Sequence, residues 1–298
     1  MNWLTEPFNY AFFGRALLAG ALVGVTCGAI GVFIVLRRMA YIGHGLSYGL
    51  LGGVAVATTM GLSPYAGATV AIAVCAFLID RLRRLHGLGG DTAICVVSTA
   101  LFALGVAVIS ANRETAPNLE GLLFGNLLGV SDHDIRLVAS VTLSVVMILY
   151  ALYKPLAFTT YDPEMARAHG VNVTRMDLAY NFMVGAVVVS SLRVVGVLLI
   201  TAVLVFPAAT ARVICPTLGA AVLTAAGTGL VATTAGLYIS FHADIASGPS
   251  IVLAHAGALI AALAVSGVLL ARRSAAARSG RPTPGAPAVE RAVSAGGT

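Results

Sequence analysis

Apolar runs of near membrane-spanning length recur along the chain, separated by short polar junctions. They predict spans at 16–36, 44–60, 65–80, 92–110, 135–152, 178–192, 195–211, 218–239 and 250–271. Several are shorter than the roughly 20 residues of a full crossing. Arg193 interrupts the 178–211 block, which leaves open one crossing plus a short re-entrant piece. Gly20, Gly24, Gly28 and Gly31 recur at spacings of four, four and three, a pattern that lets membrane helices approach closely. From about Ser274 the sequence turns to Ala, Pro, Gly and Ser without an aromatic residue, and reads as a disordered tail. The pattern predicts an all-α, polytopic membrane bundle of eight to nine transmembrane helices over 1–272, followed by that tail over 273–298.

Composition narrows the class. Hydrophobic residues make up 58% of the chain, charged residues 10%, and the mean hydropathy is +0.93. Soluble domains carry about 25% charged residues, so a water-soluble enzyme is almost excluded. The net charge of +6 does not point to nucleic acid here, because the basic residues cluster in junctions between spans. Cys27, Cys75, Cys95 and Cys215 lie in or beside apolar runs without C-x-x-C spacing, and read as small core residues. No Lys/Arg cluster precedes the first apolar stretch, so a cleaved signal peptide is not expected.

The positions of the charges carry more than their sum. Alternate junctions collect 14 of the 18 basic residues, among them Arg37, Arg38, Arg81, Lys154, Arg167, Arg212 and Arg272. The positive-inside rule places these junctions and the C-terminus in the cytoplasm, and nine spans then put the N-terminus outside. None of the 12 acidic residues falls in the middle of a predicted span. Ion-coupled carriers commonly bury carboxylates near the midplane, so a self-energised carrier is disfavoured. Lys154 is the only lysine and lies in LYKPL, so there is no G-x-x-x-x-G-K-[ST] loop, and ATP hydrolysis would have to come from another polypeptide. The best docking surface for it is Tyr161-Asp162-Pro163-Glu164-Met165-Ala166-Arg167 through Gly170. Asp162 suits an N-cap, Pro163 the first helical position, Glu164 the positive end of the helix dipole and Gly170 a left-handed C-terminal cap.

The stretches GALVGVTCGAIGVFIVLRRMAYIGHGLSYGLLGGVAVA (20–57), DTAICVVSTALFALGV (91–106), NLEGLLFGNLLGVSDHD (118–134), YDPEMARAHGV (161–171), RVVGVLLITAVLVFPAATAR (193–212) and SGPSIVL (247–253) resemble the zinc/manganese permease family of ATP-binding-cassette importers. The resemblance implies the helical architecture of cobalamin- and siderophore-type importers, with a short helix and turn ahead of RVVGVLLITA. It implies a homodimer in a bacterial plasma membrane, ATPase subunits docked on Asp162–Gly170, and an extracytoplasmic metal-binding protein that delivers Zn²⁺ or, next, Mn²⁺. No permanently bound cofactor is expected, and ATP would sit on the partner subunit.

The family usually has Gly-Asp-x-x-Ser-His at the start of the second span. The matching residues here are Gly43-His44-Gly45-Leu46-Ser47-Tyr48. His44 and Tyr48 still share a helix face, with Ser47 beside them, and are the path candidates. The pair has lost its anionic oxygen: imidazole is a good ligand for borderline metals, and a phenol is a poor one. Weaker metal candidates are His242 with Asp244 and the cluster Asp132-His133-Asp134, whose alternative is a capped helix start. His255, inside the last span, is as well explained by packing against a neighbouring helix. A permease for a metal chelate or other small solute and a stand-alone secondary metal carrier remain the competing readings. A membrane enzyme finds no nucleophile–base pair to support it.

Overall fold

The computed structural model describes residues 7, 10–39, 41–86, 90–111, 129–196 and 199–279. Among these residues the regular structure is helical throughout, without a strand. The helices are α1 (Ala11–Leu36), α2 (Ile42–Thr59), α3 (Pro64–His86), α4 (Gly90–Ala111), α5 (Asp132–Ala151), α6 (Tyr153–Tyr161), α7 (Pro163–Ala168), α8 (Val173–Val195), α9 (Ile200–Ile214), α10 (Leu218–Ala243) and α11 (Ser247–Ser279). Six of them are long and apolar enough to cross a membrane, and Gly45–Thr59 and Ile200–Ile214 are shorter apolar helices. Outward-facing apolar residues such as Val70, Phe77, Leu143, Met147, Leu253 and Ile260 are exposed. That arrangement suits a bundle whose solvent is hydrocarbon, in which each helix satisfies its own backbone.

Two boundaries differ from the sequence expectation. The 178–211 block breaks after Val195, at Gly196 with φ +84°, so Arg193 lies inside α8 and the glycine makes the turn. The last helix continues to Ser279, beyond the boundary at 272, because Ser274-Ala-Ala-Ala is good helix-forming sequence. Residues 280–298, and 118–128 of the family-like stretch 118–134, lie outside the described residues. One cysteine expectation also changes: Cys27 and Cys75 are buried, but Cys95 is exposed on α4.

Helix α1 is the spine. It packs along α10, α9 and α5. It runs antiparallel to α10: Phe13 meets Tyr238 and Phe241 at one end, and Gly24 and Gly28 meet Gly229 and Ala225 further along. Thr233 of α10 bonds to Nε2 of His255 in α11 at 3.1 Å, which identifies the buried His255 as a packing residue. The start of α1 shares its end of the bundle with the starts of α3 and α5. Arg15 pairs with Asp132 at 3.6 Å, and the Tyr65 hydroxyl donates to Asp134 at 2.9 Å.

The other end of α1 closes in a Schellman turn. Met39 N–H bonds to the Ile34 carbonyl at 3.1 Å, and Arg38 N–H to Val35 at 3.2 Å. Arg38 takes the left-handed position at φ +54°, where a Cβ is penalised. Its neighbour Arg37 is thereby turned inward and Arg38 outward. Replacing Arg38 by Gly is expected to raise stability by about 1 kcal/mol, read as an upward shift in thermal midpoint in detergent.

Candidate functional site

The path candidates lie in the first turns of α2. His44 is its third residue, and its side chain lies outside the described residues. Ser47 is fully buried, and its hydroxyl donates to the Gly43 carbonyl at 2.7 Å. Its hydrogen is therefore committed to its own helix, while its oxygen keeps its lone pairs. Tyr48 is half-buried, and its ring lies 5.0 Å from that of Phe102 on α4, centroid to centroid. Gly45 and Gly49 bring α2 close to its neighbours: a Cβ on Gly49 would lie 3.2 Å from the Cys75 sulfur of α3. The start of α2 is thus wedged between α3 and α4.

The opposite end of the bundle holds the weaker metal candidates, at the start of α5 and the end of α10. Ser131 caps α5, and its hydroxyl donates to the Asp134 carboxylate at 2.7 Å. Asp134 also accepts from the Ser131 N–H at 3.1 Å and from Tyr65, so it is a buried capping-box residue. Asp132 and His133 are exposed in the same first turn. His242 lies in the last turn of α10, with Nδ1 2.9 Å from the Tyr238 carbonyl. Asp244 is the exposed left-handed C-cap of that helix. Among the described residues no three His, Cys, Asp or Glu side chains gather as a metal site.

The docking candidate forms the element its sequence predicts. Asp162 Oδ1 accepts from the N–H groups of Glu164 at 3.1 Å and Met165 at 2.9 Å, and Pro163 opens α7. At the other end Val171 N–H bonds to the Ala166 carbonyl, and Gly170 N–H to Arg167, both at 3.0 Å. Gly170 supplies the left-handed residue at φ +80°. The helix is six residues long, and Ala166 is its buried residue. Tyr161, just before it, and Met165, within it, are 61% and 52% exposed. Local capping makes a rigid knob whose apolar tips meet solvent.

One polar arrangement at the end of α1 is not legible in the sequence. In the sequence Arg37 marks sidedness, yet its side chain is only 8% exposed. Its guanidinium donates to Asp177 of α8 at 2.6 Å, to Thr160 of α6 at 3.0 Å and to Thr159 at 3.2 Å. It also lies 4.8 Å from the ring centre of Tyr180, whose hydroxyl donates to the Ile30 carbonyl at 2.9 Å. Only the doubled Arg37-Arg38 at a span end hinted at it in the sequence.

Residues 9–266 match the ABC 3 transport family. The manganese transport system membrane protein MntC of Halalkalibacterium halodurans is 38% identical over 248 residues, which is 83% of this chain and 85% of that one. The chelated iron transport system membrane protein YfeC of Yersinia pestis is 30% identical over 252 residues, 85% of each chain. The solved structure of PsaBC from Streptococcus pneumoniae in complex with Fab is similar at a TM-score of 0.78 and 30% identity, covering 88% of this chain and 94% of that one.

Proposed function

Because the chain belongs to the ABC 3 transport family, we propose that it is the membrane permease of an ATP-driven importer for a divalent transition metal, with Mn²⁺ ahead of Zn²⁺. As in the family, it has no ATPase site of its own, and hydrolysis belongs to a separate subunit. The observation that carries the reading is α7, a doubly capped knob that exposes its own Met165 and the preceding Tyr161. An ATPase subunit grips this knob on the cytoplasmic face, and a solute-binding protein delivers the ion at the opposite end. Two copies of the chain enclose the path in the plasma membrane. The ordering of metals rests on the name of the relative at 38% identity, which is a manganese protein. A metal chelate is the second reading. The chelated-iron relative supports it, as does the missing anion at His44, since a cargo already wrapped in ligands needs no carboxylate.

The test is a complex reconstituted with its ATPase and binding protein. Uptake of radioactive Mn²⁺ on ATP addition, with weaker competition by Zn²⁺, supports the proposal. Uptake of a chelate but of neither free ion replaces it with the second reading. Within the same assay, His44→Ala is expected to lower Mn²⁺ uptake at least about tenfold, the scale of lost metal-site residues. Tyr48→Phe keeps the packing on Phe102 and removes only the hydroxyl, so a fall of about threefold is expected. Unchanged uptake with normal insertion would remove both from the path.

A further inference from the structure

The excursion that presents α7 has two roots, and one side chain holds both. Thr160 lies two residues before the Asp162 cap, on the incoming helix α6. Asp177 lies in the first turns of α8, the outgoing helix. The guanidinium of Arg37 donates to both, at 3.0 Å and 2.6 Å, and to Thr159 as well. A planar fork with several fixed donors can hold three acceptors at once, which a lysine ammonium on a flexible stem does less rigidly. The contact is mostly shielded from water, with Arg37 and Asp177 side chains 8% and 20% exposed. Arg37 itself is the C-cap of α1, and five residues later the chain enters α2, which carries His44 and Tyr48. The Schellman turn between them is short and closed by backbone bonds, so it transmits displacement poorly absorbed by bending.

We propose that Arg37 is a positioning residue that transmits the movement of α7 to the α1–α2 turn, and so to the start of α2. This rests on the reading of α7 as the element gripped by an ATPase. When the ATPase subunits close, α7 and its two roots shift together, and Arg37 carries the end of α1 with them. Tyr180 adds a second hold one turn further along α8, through its ring on Arg37 and its hydroxyl on Ile30. Without the guanidinium, α7 can still follow the ATPase, but α2 no longer follows α7. The expected phenotype is uncoupling, with hydrolysis retained and transport lost.

The experiment uses the reconstituted complex of permease, ATPase and binding protein. Arg37→Ala, Arg37→Lys and Asp177→Asn are compared with the parent and with Arg38→Ala, the exposed neighbour. Ions carried per ATP are expected to fall about tenfold in Arg37→Ala, an ordinary size for coupling between sites, and less in the two conservative variants. The ATPase rate and recovery of the ATPase subunit stay near the parent's, and Arg38→Ala keeps the parental ratio. A parallel fall of hydrolysis and transport, or loss of the complex, would assign Arg37 a structural role only and overturn the proposal. A second measurement does not depend on the cargo. Spin labels at Arg167 on α7 and at Met60 beyond the far end of α2 report their separation with and without ATP. A narrow separation in the parent that broadens in Arg37→Ala supports the link; identical distributions overturn it. Should the parent complex carry no metal, the importer reading fails, and the spin-label result still decides the role of Arg37.

Discussion

The double variant Tyr161→Asp/Met165→Asp is expected to insert and fold like the parent, yet to lose its ATPase subunit on purification and to transport nothing above background. Both side chains are more than half exposed in the isolated chain, so their removal leaves the core untouched. On the proposed docking surface they are the anchors that the ATPase subunit would bury. Interface anchors of this kind contribute about 2 kcal/mol each, so the pair changes the dissociation constant by about three orders of magnitude. Placing a carboxylate at each site adds a desolvation cost that the partner has no reason to compensate. Asp162, Pro163 and Gly170 are unchanged, so the capped helix persists. Co-purification and the thermal midpoint of the isolated permease separate the two effects. An ATPase that still binds with parental affinity would place the docking surface elsewhere.

Gly24→Leu is expected to leave no folded protein. A Cβ on Gly24 would lie 2.5 Å from the Gly229 carbonyl oxygen and 2.7 Å from the Thr233 hydroxyl. The first obstacle is backbone and cannot rotate away. One turn on, Gly28 crosses Ala225 with no more room. Helices in lipid gain little from apolar burial against one another, because the alternative solvent is equally apolar; close van der Waals contact between backbones holds them. Forcing α1 and α10 apart therefore removes the main attraction along the spine. Overpacking one residue costs about 1–3 kcal/mol, and a four-carbon side chain at a backbone crossing exceeds that, against a total stability of about 5–15 kcal/mol. Gly14→Ala on the same helix is the control, since nothing lies within 4 Å of its Cβ position. Size-exclusion profiles in detergent check both: an aggregated or absent peak for Gly24→Leu and a parental peak for Gly14→Ala. A monodisperse Gly24→Leu protein would mean that the α1–α10 crossing has more slack than the structure shows.

The candidate path is the part least legible in the sequence. The four-residue spacing places His44 and Tyr48 on one face, but spacing cannot say what lies opposite that face. The tertiary packing puts Phe102 against Tyr48 and turns the Ser47 hydroxyl back onto Gly43. The cluster Asp132-His133-Asp134 shows the same difficulty from the other direction. Three polar residues in a row look like an ion-attracting patch, but the helix start places Asp134 inward, where Ser131 and Tyr65 satisfy it. Zinc as the first cargo likewise came from resemblance alone, and the relative at 38% identity carries a manganese name.

By itself, the amino-acid order determined the solvent, the helices and the capped knob. Each of these depends on neighbours a few positions apart: long apolar runs demand lipid, and Asp162-Pro163 and Gly170 close a helix with bonds that span no more than five residues. Tertiary structure decided which charges work and which are merely solvated. Arg37 and Arg38 are chemically identical neighbours, but one reaches partners 122 to 140 positions away and the other faces outward. What a charge does depends on the water it loses and the groups that replace that water, and those groups arrive only when distant helices pack.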